Sequence, residues 1–176
     1  MTFETLAIEG AMLIRPQRLE DDRGWFARVF CAEELARQGL VTRFVQHSLS
    51  HSRERGTLRG VHWQAAPHEE VKLVHCTSGR IWDVLLDLRE GSPSYRQHLG
   101  LELSAFDHQL LYVPQGVAHG FLTLTDHTEV YYQMSAPYRP EAARGVRWDD
   151  PAFGIGWPEP VRVISERDAT YPDFDA

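Results

Sequence analysis

The sequence predicts an all-β domain, a sandwich or barrel of short strands with a few short helices. Three observations lead there. Runs rich in β-formers recur through the middle of the chain. Turn residues part them at intervals of roughly 8–12 residues. One short segment alone carries a helical pattern.

That segment comes first: Ala32 to Gln38, with Gly39 as its C-terminal stop. Val71-Lys72-Leu73-Val74-His75 then reads as a strand closed by the turn cluster Thr77-Ser78-Gly79. Arg80 to Leu88 is β-rich and almost continuously apolar, as a strand in a sandwich core can be; Asp83 and Asp87 are the exceptions. Gln109 to Val113 ends against Pro114 and Gly116. Gly120 to Leu124 and Glu129 to Met134 are two more runs, separated by the polar stretch Thr125 to Thr128. Prolines at 137, 140, 151, 158, 160 and 172 thin out regular structure toward the C-terminus. There is no internal repeat, low-complexity tract or linker, so a single domain over residues 1–176 is expected.

Composition narrows the function classes. The 176 residues suffice for one real core but not for a second domain of ordinary size. Eighteen basic side chains face 25 acidic ones, for a net charge of −7. Without a basic stripe, binding to nucleic acid or to an anionic membrane is not expected. Apolar stretches such as Ala11 to Ile14 are too short to span a bilayer. The first ten residues lack the charged start and apolar core of a signal peptide, which predicts a cytoplasmic protein. Cys31 and Cys76 are therefore expected as free thiols. Seventeen of the basic residues are Arg and one is Lys, Lys72; an Arg-rich background makes that position worth noting, because the two cations are not interchangeable at a site.

Two segments hold most of the unusual residues: Gly56-Thr-Leu-Arg59-Gly60-Val-His62-Trp63-Gln64 followed by Lys72, and Pro114-Gln-Gly116-Val-Ala-His119-Gly120-Phe121. Together they resemble the paired motifs of the cupin superfamily, which implies a double-stranded β-helix of the jelly-roll kind. Metal-binding cupins use a His-x-His pair, a Glu and a third His. Here Gln64 stands where the second His of the pair would be. His62 and His119, with Glu69 or Glu70 as a third ligand, make a weak site for a metal that needs three or four convergent ligands, so no metal is expected.

Seven stretches sharpen the resemblance. In order they are Asp22-Arg23-Gly24-Trp25-Phe26, Phe44-Val45-Gln46, Leu58 to Gln64, Asp83-Val84 with Asp87-Leu88-Arg89, Val113 to Phe121, Asp150-Pro151 with Trp157-Pro158, and Ser165-Glu166-Arg167-Asp168. Over about residues 3 to 172 the chain resembles the dTDP-4-dehydrorhamnose 3,5-epimerase family, metal-free cupins acting on nucleotide-linked 4-keto-6-deoxy sugars. The resemblance implies epimerisation at C3, at C5 or at both, since family members of each kind exist, by proton transfer next to the C4 ketone; this needs a base on one face, an acid on the other and stabilisation of the enolate between them. It makes His62 the base, Asp168 its orienting carboxylate, Tyr132 the acid from the opposite face and Lys72 the cation near the carbonyl oxygen, with no cofactor. It gives Arg23, Arg59 and Arg167 the diphosphate, for which bidentate guanidinium contacts are suited. Gln46, Ser48, His119 and Tyr138 fall at further substrate-binding positions. It also implies a homodimer whose exchanged N-terminal strand brings Arg23 and Arg28 into the partner's site.

Each assignment has a plainer reading. A histidine on a strand, His62 or His119, can be hydrogen-bonded structure, any one arginine of seventeen can be solvated surface, and Asp168 can cap a turn. Tyr131 and Tyr132 face opposite ways on a strand, and the residues alone leave open which points inward; the family spacing to Tyr138 selects Tyr132. Three departures fall at binding positions. Arg28 replaces a family Glu, Ser48 replaces an Asn, and Ala143 replaces a Glu. The proton-transfer set is retained, which predicts the same chemistry with altered ligand recognition. An Arg facing the base would favour the acceptor N3 of cytosine, or guanine, over the protonated N3 of thymine. Two alternatives use the same scaffold: a ketoisomerase moving the carbonyl from C4 to C3, and a sugar-nucleotide binder without catalysis.

Overall fold

A computed structural model describes residues 1–174; Asp175 and Ala176, the end of the expected domain, lie outside the described residues. The chain begins with β1 (Thr2–Thr5), β2 (Met12–Arg15), β3 (Arg18–Asp21), β4 (Gly24–Ala27) and helix α1 (Ala32–Arg37). It continues through β5 (Gln46–Ser52), β6 (Leu58–Gln64), β7 (Lys72–Ser78), β8 (Arg80–Asp87) and β9 (His98–Ser104). β10 (Leu110–Val113), β11 (Val117–Thr123), β12 (Thr128–Met134), β13 (Ala143–Gly145) and a one-turn helix α2 (Glu166–Ala169) complete it. A six-stranded sheet runs β1-β2-β10-β7-β12-β5 and a five-stranded sheet runs β13-β6-β11-β8-β9; β3 and β4 form a separate hairpin. The two sheets pack face to face as the expected cupin-like jelly roll.

Three apolar clusters explain why the strand patterns look the way they do. Between the sheets, Val74, Cys76, Leu111 and Val130 from one side meet Ile81, Leu85, Val117 and Phe121 from the other. Behind the six-stranded sheet, Ile14, Leu73, Leu110 and Tyr112 are covered by Phe30, Leu40, Val41 and Phe44 around α1. Behind the five-stranded sheet, Val61, Leu86, Ala118, Val146 and Phe153 form the third cluster. β8 is thus buried on both faces, which is why its sequence hardly alternates. Its two acids are both fully buried: Asp83 faces the inter-sheet space, and Asp87 is held by Arg89, Ser92 and Ser94.

Local signals mark α1 well. Glu33 and Glu34 occupy its first turn, Arg37 its last, and Gly39 follows at φ 72°, the left-handed value that ends helices. A second short helix, α2, joins it in the all-β frame with a few short helices. α2 carries no pattern in the sequence because it is one four-residue turn, too short for any periodicity, and Ser165 caps it by accepting the Asp168 amide at 3.1 Å. Two strand boundaries move by more than one residue. β7 extends to Ser78, so Thr77 and Ser78 belong to the strand, and β11 starts at Val117, which puts His119 on it. β5 (QHSLSHS) gave no strand signal because its inward residues include Gln46, Ser48 and Ser50, facing the cavity and its adjoining cleft instead of a core. Among the described residues, no helix is long and apolar enough to cross a membrane.

Candidate active site

At one end of the inter-sheet space the inward-facing residues change from apolar to polar. Along β7, Cys76 and Val74 lie in the core and Lys72 lies beyond them; along β12 Val130 is followed by Tyr132. A cavity of about 540 Å³ opens here, lined by His62, Lys72, His119, Tyr132, Asp168 and Arg59 among others. Two adjoining clefts share its walls. One adds Trp63, Gln64, Glu70, Tyr138, Ala143, Arg144 and Arg167, the other Gln46, Ser48 and Met134.

His62 owes its place to the backbone just before it. Gly60 has φ 123°, and a Cβ there would sit 2.4 Å from the Gly120 Cα, so β6 and β11 approach as only glycines allow. His62 and His119 are paired across those two strands. His62 Nε2 lies 2.7 Å from Asp168 Oδ1, and the Gly60 amide donates to Asp168 Oδ2 at 3.3 Å. Burial by itself raises the Asp168 carboxyl, but the hydrogen bonds from His62 and Gly60 outweigh it and hold the group below the usual aspartate range. An ionised Asp168 keeps the proton on Nε2, which leaves Nδ1 as the basic nitrogen of His62. Asp168 does sit in a turn, as its plainer reading has it, but Ser165 supplies the cap and the carboxylate goes to His62.

Tyr132 stands on the opposite sheet. Its hydroxyl is 3.2 Å from Ser50 Oγ, and burial raises its pKa far above the ordinary tyrosine value, so it holds its proton at neutral pH. Tyr131 points to the other face and meets His47 Nδ1 at 2.6 Å, which resolves the choice that the residues left open.

His119 and Asp83 form a second pair, Nε2 to Oδ2 at 2.9 Å, with Asp83 fully buried. Burial, only partly offset by His119 and Lys72, raises the Asp83 carboxyl. Lys72 Nζ lies 3.0 Å from Glu70 Oε1. Gln64, at the broken His-x-His position, is satisfied by Glu70, the His68 and Pro137 carbonyls and the Arg139 amide. Among the described residues, no three His, Cys, Asp or Glu side chains are grouped to hold a metal ion.

The other expected residues divide. Arg59 lines the cavity while bonding Ser52 Oγ and the His51 carbonyl. Gln46, Ser48 and Tyr138 share one cleft, with Gln46 Oε1 accepting the Tyr138 amide; Arg167 and Ala143 share the other. Arg23 and Arg28 do not reach this chain's own cavity. They ride on the β3–β4 hairpin, where Arg23 pairs with Asp21 at 2.5 Å and Arg28 lies 4.0 Å from Glu34. Sequence reasoning gives three neighbours of the site no role in its chemistry. Asp83 left a signal, an acid interrupting an apolar strand; Glu70 enters only as a third metal ligand; Tyr171, whose ring packs edge-on at 6.1 Å from that of His62, left none.

A family model described as dTDP-4-dehydrorhamnose 3,5-epimerase matches residues 5–176. The chain belongs to this family. Within the dTDP-4-dehydrorhamnose 3,5-epimerase family, the enzyme of Sinorhizobium fredii is 43% identical over 175 residues, covering 99% of this chain and 90% of the relative. The structure of the Bacillus anthracis enzyme, with TDP and PPi bound, matches with a TM-score of 0.95 at 38% identity, over 98% of this chain and 99% of that one. The Legionella pneumophila enzyme, solved in complex with dTDP-4-keto-L-rhamnose, matches with a TM-score of 0.89 at 34% identity, over 96% and 89% of the two chains.

Proposed function

We propose that the chain inverts carbons C3 and C5 of a dTDP-linked 4-keto-6-deoxyhexose, in the manner its relatives' names describe. The observation that carries this reading is that His62 and Tyr132 stand on opposite sheets around one cavity, which Lys72 also lines. A planar enolate held there has a base on one face and an acid on the other, which is the requirement for inversion.

In this reading His62 Nδ1 takes the proton from the carbon next to the ketone, and the electron pair moves onto the carbonyl oxygen. Asp168 stabilises the imidazolium through Nε2–H. Lys72 stabilises the enolate oxygen as a point charge. The Tyr132 hydroxyl then gives a proton to the opposite face, the carbonyl re-forms, and His62 passes its proton to solvent as Tyr132 regains one. Arg59 and Arg167 hold the diphosphate, His119 lies beside the sugar, and Gln46, Ser48 and Tyr138 contact the nucleoside.

The reading includes a homodimer in which the β3–β4 hairpin carries Arg23 and Arg28 to the partner's cavity. Leu19 and Phe26 on that hairpin, 59% and 64% exposed, support it as apolar side chains available for a second copy. Sedimentation at micromolar concentration tests this part; a monomer overturns it. The cytoplasmic location expected above is checked by fractionating the native host.

Deuterium wash-in tests the chemistry. The protein is incubated in D₂O with 4-keto-6-deoxyglucose linked to dTDP, CDP and GDP in turn, and the sugar is followed by NMR. Deuterium at C3 and C5, lost in His62→Asn, is the expected result. No exchange with any nucleotide overturns the reading; faster exchange with CDP or GDP than with dTDP overturns its dTDP assignment and favours the recognition role of Arg28.

A further inference from the structure

We infer that Glu70 is a positioning residue for Lys72, acting with Gln64 as a fixed arm that holds the single lysine of the chain. The inference rests on the reading of Lys72 as the cation at the enolate oxygen. Lysine is a flexible four-carbon stem ending in a strongly hydrated point charge, so a lysine at a reacting atom needs something to aim it. Here the Lys72 side chain is 12% exposed and the carboxylate facing it 9% exposed, at 3.0 Å. Buried charges persist in pairs, and breaking such a pair leaves the other charge without compensation.

The arm continues beyond the carboxylate. Glu70 Oε2 accepts from Gln64 Nε2 at 3.1 Å. Gln64 is itself tied down on both ends of its amide: the nitrogen also donates to the His68 carbonyl at 3.0 Å, and the oxygen accepts the Arg139 amide at 2.6 Å. Gln64 lies two residues after His62 on the same face of β6, so the support of Lys72 is built on the strand that carries the base. Lys72 Nζ is also 3.5 Å from the His62 carbonyl oxygen. Of the three ammonium N–H groups, Glu70 and that carbonyl direct two, which leaves one for the substrate oxygen.

Positioning of this kind acts where charge develops, so its loss falls on turnover more than on binding. Kinetics of the dTDP sugar with Glu70→Ala, Glu70→Gln, Lys72→Met and the Glu70→Ala/Lys72→Met double variant test it. We expect Glu70→Ala to lower kcat by about tenfold or more with KM within about twofold, since small misplacements near reacting atoms carry costs of that order. Glu70→Gln, which keeps shape and an acceptor for Nζ, recovers part of the loss. In the Lys72→Met background, Glu70→Ala adds less than about twofold, because the residue it serves is already gone. An unchanged or raised kcat in Glu70→Ala overturns the inference, as does an equal loss with and without Lys72, which marks a purely structural role. Wild-type protein without any wash-in overturns the epimerase reading itself and the inference with it. Active protein indifferent to Lys72→Met overturns the role of Lys72 and, with it, that of Glu70.

Discussion

His62 and Asp168, 106 positions apart in the chain, meet at 2.7 Å through Nε2 and Oδ1, and the amide of Gly60 holds the second carboxylate oxygen. The strand that presents the base therefore also binds the group that tunes it. Asp168→Asn preserves shape but removes the charge that supports an imidazolium. We expect kcat to fall by roughly 10²–10⁴-fold with little change in KM, measured by steady-state kinetics.

The same pair sets a pH dependence. The folded-state carboxyl of Asp168 lies below its ordinary value, so its contribution to stability is complete above the unfolded value of about 4 and is lost as pH falls through the folded value. Thermal melts of wild type and Asp168→Asn should differ most at neutral pH, with the gap closing below about pH 4. A constant gap across that range contradicts the shift.

Tyr131 and Tyr132 offer a matched pair on one strand. Tyr132→Phe is expected to lower turnover by about 10²–10⁴-fold, the range for a missing general acid. Tyr131→Phe, on the other face with His47, should leave turnover within about twofold. Parallel NMR assays of the two variants check the contrast.

Gly60 is the glycine at which an added methyl would come closest to backbone atoms. Gly60→Ala puts a Cβ 2.4 Å from the Gly120 Cα at a φ of 123°. The cost is expected at about 1–3 kcal/mol or more from overpacking and strain together. Denaturant unfolding measures it, and activity should fall further than stability because His62 lies two residues on.

The two thiols should separate by reactivity. Cys76 is fully buried in the inter-sheet core and its thiol is pushed up to about 11 by burial, whereas Cys31 is partly exposed. A thiol reagent at pH 8 should titrate Cys31 in the native protein and both cysteines after unfolding.

Much of this was local enough to read along the chain. α1 announced itself by its acidic start, basic end and Gly39; the β8 run was legible because a strand buried on both faces is apolar whatever its partners are. The motifs around His62, His119 and Asp168 carried the family resemblance, and the family model agrees with it. β5 was not legible, because polar residues facing a cavity carry the composition of a loop.

The sequence by itself determined the kinds of group available: one lysine, a histidine after Arg59-Gly60, a tyrosine pair and a late aspartate, in a chain patterned for an all-β fold. Only the tertiary structure decided which of them meet. Tyr132 rather than Tyr131 faces inward through the register of β12 with β5 and β7, Asp83 backs His119 through the pairing of β8 with β11, and Glu70, itself held by Gln64, pairs with Lys72. The physical reason is that a strand fixes only the alternation of its own side chains. Which face is the cavity, and which distant side chain stands opposite, follows from how the strands pair and how the two sheets close on each other.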